Sequence, residues 1–211
     1  MASKSEKKAN LRKQIIVAAN EYSQHLAGKV FLYVYGNEYF EISFMTKQFK
    51  HLTGVASNLK ANDFYNKAKS KTLTINQFWF DKDHLYNNAK EKVPCLCNLS
   101  VLTNSLVCVV KNVSTLTFTY KIGVTNLKFT LCLTENLDKN NNKINDLLLP
   151  RSLRVKDKSI ENSSDGDFID FIFERDASVN TYTTLTYSDN NKPIPESIAH
   201  LIDTAFYNND P

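Results

Sequence analysis

The chain has 211 residues, of which 42% are hydrophobic, with 13 Phe and 10 Tyr. This length and content suit a single domain with a sizeable core, and 5 Gly and 5 Pro are too few for a long disordered linker. Apolar runs fall short of the roughly 20 residues that span a bilayer, and the basic first residues lack the apolar segment of a secretory signal. We therefore expect a cytoplasmic protein with no membrane contact.

Charge is distributed unevenly along the chain. Residues 1–160 carry 24 Lys and Arg against 12 Asp and Glu, a net of +12, whereas residues 161–211 carry 2 basic and 10 acidic residues, a net of −8. A basic surface attracts polyanions such as nucleic acid, although solvated helix faces also use basic residues. We expect the acidic segment 161–167 to lie away from that basic surface.

The first half of the chain alternates between helix and strand patterns. Apolar residues at spacings of three and four predict an amphipathic helix over 6–27, and a hairpin follows over 29–44 with Gly36 and Asn37 at its turn. A helix is predicted near 61–70. Residues 73–80 read as a strand, and a helix opens at Asp81 and is expected to stop at Pro94.

The second half is rich in strand patterns. Residues 105–111, 113–122 and 126–134 read as a β meander with a turn at Asn112, and residues 137–145 as a surface loop. Two further strands are predicted at 168–173 and 182–187, and a last helix after Pro195. Blocks of strands indicate an α+β fold, a largely antiparallel sheet with an N-terminal amphipathic helix and further helices on one side. We take 1–28 as the N-terminal helix and 29–211 as one α+β domain.

The four cysteines give no strong metal pattern. Cys95 and Cys97 are spaced as C-x-C rather than the C-x-x-C of many zinc sites. We interpret all four as free thiols, and the alternative is a metal site that includes His84.

The stretch 49–55, F-K-H-L-T-G-V, places an imidazole, a hydroxyl and a cation next to a glycine. His51 lies on the predicted connection that leaves the hairpin, where functional groups are often presented. A structural histidine, a capping threonine and a turn glycine would give the same pattern.

This stretch, followed by Lys60 and by D-F-Y at 63–65, resembles a family of phage and prophage nucleases assigned to the barnase–EndoU–colicin–RelE fold. The segment L-P-R-S-L at 149–153 resembles a later P-x-S-L segment of that family. The resemblance implies a nuclease-like protein of phage or mobile-element origin that works in the cytoplasm of a bacterial host.

The sequence contains no glycine-rich phosphate loop, H-E-x-x-H motif, nucleophile elbow or acidic metal cluster. Metal-independent RNA cleavage avoids these devices because the 2′-hydroxyl is the nucleophile, so the protein needs a base, an acid and cations for the phosphorane. The candidate catalytic residues are His51, Thr53, Arg151 and Arg154, and the candidate substrate-binding residues are Lys50, Lys60 and Tyr65.

Within this set His51 is the candidate acid or base. Arg151 and Arg154 are expected to clamp phosphate through forked hydrogen bonds. No second catalytic histidine is expected, because His25, His84 and His200 all fall in predicted helices.

Three functions stay open at this level. The first is a metal-independent nuclease without a cofactor or metal, acting on RNA in preference to DNA. The second is a catalytically inactive nucleic-acid- or protein-binding module, and the third is a phage counter-defence protein that binds a host or phage partner. The sequence specifies neither the substrate nor the oligomeric state.

Overall fold

The structure, a computed structural model, describes residues 3–114, 119–155 and 166–207. The helices are α1 (Lys4–His25), α2 (Phe49–Thr53), α3 (Ala61–Lys69) and α4 (Tyr86–Cys97). The strands are β1 (Lys29–Tyr35), β2 (Glu38–Phe44), β3 (Cys108–Ser114), β4 (Thr119–Thr125), β5 (Phe129–Leu137), β6 (Lys143–Val155), β7 (Asp167–Phe168), β8 (Phe171–Asp176) and β9 (Thr184–Ser188).

The predicted N-terminal helix is confirmed as α1. A capping box begins it: the Ser3 hydroxyl accepts from the Glu6 amide at 3.2 Å, and the Glu6 carboxylate accepts from the Ser3 amide at 2.6 Å. Its apolar stripe, with Leu11, Ile15 and Tyr22, is buried in the same core as the sheet. The division of the chain at residue 28 stays a prediction.

The strands form one nine-stranded sheet in the order β7-β3-β4-β5-β6-β2-β1-β8-β9. Neighbouring strands are antiparallel, except that β2 and β6 run parallel and share the single Cα pair Ile42 and Leu148. All four helices pack on one face of this sheet, in a core that includes Tyr22, Phe49 and Phe64. The predicted α+β class, with helices on one side, is confirmed.

The other face of β1 and β8 is covered by the C-terminal part of the chain, where a helix was predicted. Short 3₁₀ turns at Glu196–Ile198 and Thr204–Phe206 stand there instead. The backbone between these two turns pairs with the backbone of Tyr182. The Tyr182 amide donates to the Leu201 carbonyl, and the Tyr182 carbonyl accepts from the Asp203 amide, both at 2.9 Å. Because this pairing occupies the groups that a helix would use, the helix prediction is wrong.

Two predictions for residues 73–97 are also wrong. The expected strand is a 3₁₀ turn at Ile75–Gln77 followed by a single antiparallel bridge between Ala56 and Trp79. The next helix begins only at Tyr86 and continues through Pro94 to Cys97. Proline removes one helical hydrogen bond, but Val93 and Leu96 are fully buried on either side of it and hold the helix against the core.

The β meander is confirmed as β3, β4 and β5. Asn112 is not its turn but a residue with φ 56° inside β3, which asparagine tolerates. The predicted loop 137–145 shrinks to a hairpin turn in which the Asp138 carboxylate accepts from the amides of Asn140 and Asn142. Within the described ranges, no helix has the length and apolar character to cross a membrane.

Candidate active site

His51 lies on α2, a helix of five residues, rather than on an irregular connection. Phe49 and Leu52 are fully buried on the inner side of this helix, which leaves His51 on its outer side, where protein still surrounds part of the imidazole. Gly54 ends the helix at φ 73°, in the left-handed region, and its amide donates to the His51 carbonyl at 3.3 Å. The glycine is thus required by the backbone that presents the histidine.

Arg151 is presented by an irregularity in β6. Cys132 pairs with Ser152 and Leu133 pairs with Pro150, so the register shifts between these pairs and Arg151 has no opposite residue on β5. Such a β-bulge bends the strand and redirects a side chain, and bulges are common beside functional sites. Simple alternation along an extended strand therefore does not describe this arginine.

His51 and Arg151 line two adjoining grooves. The larger groove, of about 550 Å³, runs between α2 and the β5–β6 hairpin. The smaller groove, of about 280 Å³, lies between α2 and the turn before α4. Besides His51 and Arg151, the smaller groove is lined by Gly54, Asp83, His84, Asn88, Lys92, Tyr120 and Ser152.

The surroundings of His51 favour its neutral form. The pKa of His51 lies below its ordinary value of 6.5, first because neighbouring protein withdraws the imidazole from water and then because of the positive charge of Arg151. Lys92, His84 and Lys50 act in the same direction. At neutral pH His51 is therefore neutral and able to accept a proton. The positive charges around it also favour binding of an anion.

His84 is the residue that sequence reasoning missed. The sequence pattern predicts a helix at this position, but His84 lies in a turn two residues before α4 and lines the smaller groove with His51. Asp81 forms that turn: its Oδ1 accepts from the backbone amides of Asp83 and His84 and lies 3.1 Å from His84 Nδ1. An aspartate three residues before a histidine is the signal that could have indicated it, because Asx turns compete with helix.

Several other predicted site residues are buried or have their polar groups bound to the backbone. The Thr53 hydroxyl is buried and donates to the Lys50 carbonyl at 2.6 Å. Lys50 lines the larger groove, but its ammonium donates to the carbonyls of Ser57 and Leu59 at 3.1 and 2.7 Å. Tyr65 is 3% exposed and packs edge-on against Phe49. These three residues hold α2 in place.

The remaining predicted residues lie outside the two grooves. Lys60 is exposed at the start of α3 and lines neither of them. Arg154 lies over the ring of Tyr120, 5.9 Å from its centroid, and lines a separate pocket beside Glu91 and Lys92. The structure thus brings His51 and Arg151 together and leaves Arg154 out of their grooves.

Two further predictions concern the cysteines and the acidic segment 161–167. The four cysteines are free thiols, and among the described residues no three His, Cys, Asp or Glu side chains are grouped so that they could hold a metal ion. The predicted position of the acidic segment falls largely on residues 161–165, outside the described ranges. Asp167 is described and lines a different groove, 3.9 Å from the Lys111 ammonium.

One family model matches residues 14–191, namely PBECR4, described as phage-Barnase-EndoU-ColicinE5/D-RelE like nuclease4. No curated protein and no solved structure matches the chain significantly. The family match includes α2, the turn before α4 and the bulge of β6, and so contains both grooves. This chain belongs to the phage-Barnase-EndoU-ColicinE5/D-RelE like nuclease4 family.

Proposed function

We propose that this protein is a metal-independent ribonuclease that cleaves RNA by attack of the 2′-hydroxyl on the adjacent phosphate. The observation that carries the proposal is the smaller groove, where His51, His84 and Arg151 line one space. Two imidazoles and a guanidinium are the groups that this reaction needs, because it requires a base, an acid and a cation for the charge on the phosphorane.

His51 acts as the base in this proposal. Its lowered pKa keeps the imidazole neutral near pH 7 and able to take the proton from the 2′-hydroxyl. As that proton leaves, the 2′-oxygen forms a bond to phosphorus and the imidazole becomes positively charged. The phosphate between His51 and Arg151 is then flanked by two cations.

His84 acts as the acid. Its Nδ1 is engaged by Asp81, so the other ring nitrogen is the one left to serve the groove. The bond from phosphorus to the 5′-oxygen breaks as His84 protonates that oxygen. The products are a 2′,3′-cyclic phosphate and a free 5′-hydroxyl, and water then resets the two protonation states.

Arg151 holds the scissile phosphate. Its guanidinium is exposed at the bulge, and among the described residues it makes no hydrogen bond or ion pair. A fork of N–H donors in that position suits two phosphate oxygens. Lys92 lines the same groove and adds a second positive charge.

The test is cleavage of labelled RNA and DNA in EDTA by the wild type and by three histidine variants. His51→Ala and His84→Ala should each lose about 10²- to 10⁴-fold in rate on RNA, while His25→Ala, a matched change on α1 outside both grooves, should keep it. DNA, which lacks the 2′-hydroxyl, should stay intact.

A catalytically inactive module that binds RNA is the second candidate. It is favoured by the placement of Arg154 over Tyr120, which leaves a single arginine for the phosphate. If the wild type binds RNA but cleaves no faster than His51→Ala, this second function holds and the ribonuclease proposal fails. For either function we propose that the protein meets its RNA in the cytoplasm of a bacterial host.

A further inference from the structure

The larger groove differs in character from the smaller one, although His51 and Arg151 line both. Its walls include the apolar side chains of Leu137, Leu149 and Pro150, whereas the smaller groove is lined mainly by charged and amide groups. Leu137 is 39% exposed, whereas Leu149 and Pro150 are buried, so Leu137 is the part of this wall that is open to solvent. A nucleotide has an apolar base at one end and an anionic phosphate at the other. The apolar wall suits the base, and the adjacent Arg151 suits the phosphate.

The β5–β6 hairpin is irregular where it forms this wall. Besides the bulge at Arg151, the register shifts between Glu135, which pairs with Leu148, and Asn136, which pairs with Asn145. Two residues of β6 therefore have no opposite residue on β5 at this point. A regular ladder would alternate its side chains between the two faces, and such shifts allow apolar and polar side chains to line one groove.

We propose that the larger groove binds the nucleobase of the nucleotide that carries the attacking 2′-hydroxyl, on the 5′ side of the scissile phosphate in single-stranded RNA. The proposal rests on the ribonuclease function above, because that function fixes the polarity. His51 takes the proton of the 2′-hydroxyl and lines the larger groove. His84 protonates the leaving 5′-oxygen and lines only the smaller one.

The smaller groove then accepts the ribose and phosphate that follow the cleaved bond. Its volume is about half that of the larger one, 280 against 550 Å³, and Lys92, Asn88 and Asp83 give it polar walls. The base on that side is left in solvent. Recognition of sequence is therefore expected from one base, which packs against the exposed Leu137 while Glu135, which lines the same groove, faces its edge.

The test is binding of nucleoside 3′-monophosphates and 5′-monophosphates, with inorganic phosphate as the third probe, measured by titration calorimetry. A 3′-nucleotide can put its phosphate at Arg151 and its base in the larger groove, whereas a 5′-nucleotide would direct its ribose to the smaller groove and leave its base in solvent. We expect at least one 3′-nucleotide to bind about tenfold or more tightly than its 5′ isomer.

The variant Leu137→Ser removes part of the apolar wall. It should weaken binding of that 3′-nucleotide by about three- to tenfold and leave inorganic phosphate unaffected. Ile144→Ser is the matched control, since Ile144 is 59% exposed on the same hairpin but lines neither groove. Equal affinity for both isomers, or equal loss for Leu137→Ser and Ile144→Ser, overturns the base-binding site.

The same measurements separate this site from catalysis. If the 3′-nucleotide preference and the Leu137→Ser loss are found but RNA is not cleaved, the ribonuclease proposal fails and the base-binding site stands. If RNA is cleaved in a His51-dependent way but the nucleotide isomers bind alike, the ribonuclease stands and the base-binding site fails.

Discussion

The imidazole Nδ1 of His84 lies 3.1 Å from a carboxylate oxygen of Asp81, which also accepts two backbone amides of its own turn. Asp81→Asn keeps an oxygen that can accept these amides but removes the negative charge beside the His84 imidazole. We expect cleavage of RNA to fall by about 10- to 100-fold, less than for a buried pair because both side chains are partly exposed. Single-turnover rates measure this.

Asp83→Asn is the control for that experiment. Asp83 lines the same groove but makes no side-chain contact with His84 that the structure describes. If Asp83→Asn slows cleavage as much as Asp81→Asn, the loss comes from the charge of the groove and not from the positioning of His84.

The titration of His51 should respond to a bound anion. In the free protein its pKa is lowered below 6.5 by partial burial and by Arg151 and Lys92, so the ring is neutral at pH 7. Bound phosphate brings a negative charge next to the imidazole, which offsets the positive charges around it, favours the protonated ring and raises the pKa of His51. Ring-proton NMR titrations with and without inorganic phosphate should therefore differ, with the higher midpoint in phosphate.

Arg151→Gln gives the second arm of that experiment. Removing the positive charge should raise the pKa of His51 in the free protein toward 6.5 and reduce its response to phosphate. A midpoint that is the same in wild type, in Arg151→Gln and in phosphate would show that the two residues do not share an anion.

Replacement of Arg151 by lysine should impair cleavage even though the charge is kept. Lysine cannot reproduce the forked pair of hydrogen bonds, because its ammonium is a compact charge at the end of a flexible stem. We expect kcat/KM to fall by about tenfold or more, in line with the loss of one charge-assisted hydrogen bond. Arg154→Lys tests whether the second arginine also belongs to the clamp, and an equal loss there would return Arg154 to the site.

Two glycine variants separate backbone strain from the position of Lys92. Gly54 and Gly36 have φ angles of 73° and 55°, so alanine at either position should lower the free energy of unfolding by about 1–2 kcal/mol. Only at Gly54 would the new Cβ lie 3.1 Å from Lys92 Cδ. Gly54→Ala should therefore also weaken phosphate binding, and Gly36→Ala should not. Chemical denaturation and phosphate titration of both variants measure this.

Binding of single-stranded RNA should weaken steeply as salt rises. Each phosphate neutralised by a basic side chain adds about 0.7 to the slope of log affinity against log salt. For Arg151, Lys92 and Lys47, which line the two grooves, we expect a slope near 2. Affinity that stays constant between roughly 50 and 200 mM salt would favour a protein partner over a nucleic acid.

The sequence predicted the fold class, the first helix and the hairpin because their periodic burial is local. It indicated His51 because an imidazole, a hydroxyl and a cation stood next to a glycine in a stretch that resembles the nuclease family, and the role of His51 stays a prediction. It could not predict the bulge at Arg151, which depends on the register between β5 and β6. His84 was missed because a helix pattern was extended over Asp81, whose carboxylate in fact caps a turn.

Thr53 and Tyr65 show the opposite error. Both stand in the stretch that resembles the nuclease family, yet both are buried: Thr53 donates to the Lys50 carbonyl within α2, and Tyr65 packs against Phe49 of that helix. A motif contains the residues that hold a site as well as those that form it, and burial, which separates the two, is a property of the whole fold.

The single parallel contact between Ile42 and Leu148 has a consequence for the order of events during synthesis. His51 follows β2 closely, whereas Arg151 follows Leu148 by three residues and is made 100 residues later. The two halves of the groove therefore meet only when strands distant in the chain have paired, a slow step for any chain. A ribosome-bound chain would carry its histidine without its arginine, and the proposed phosphate site would be incomplete until β6 had joined the sheet.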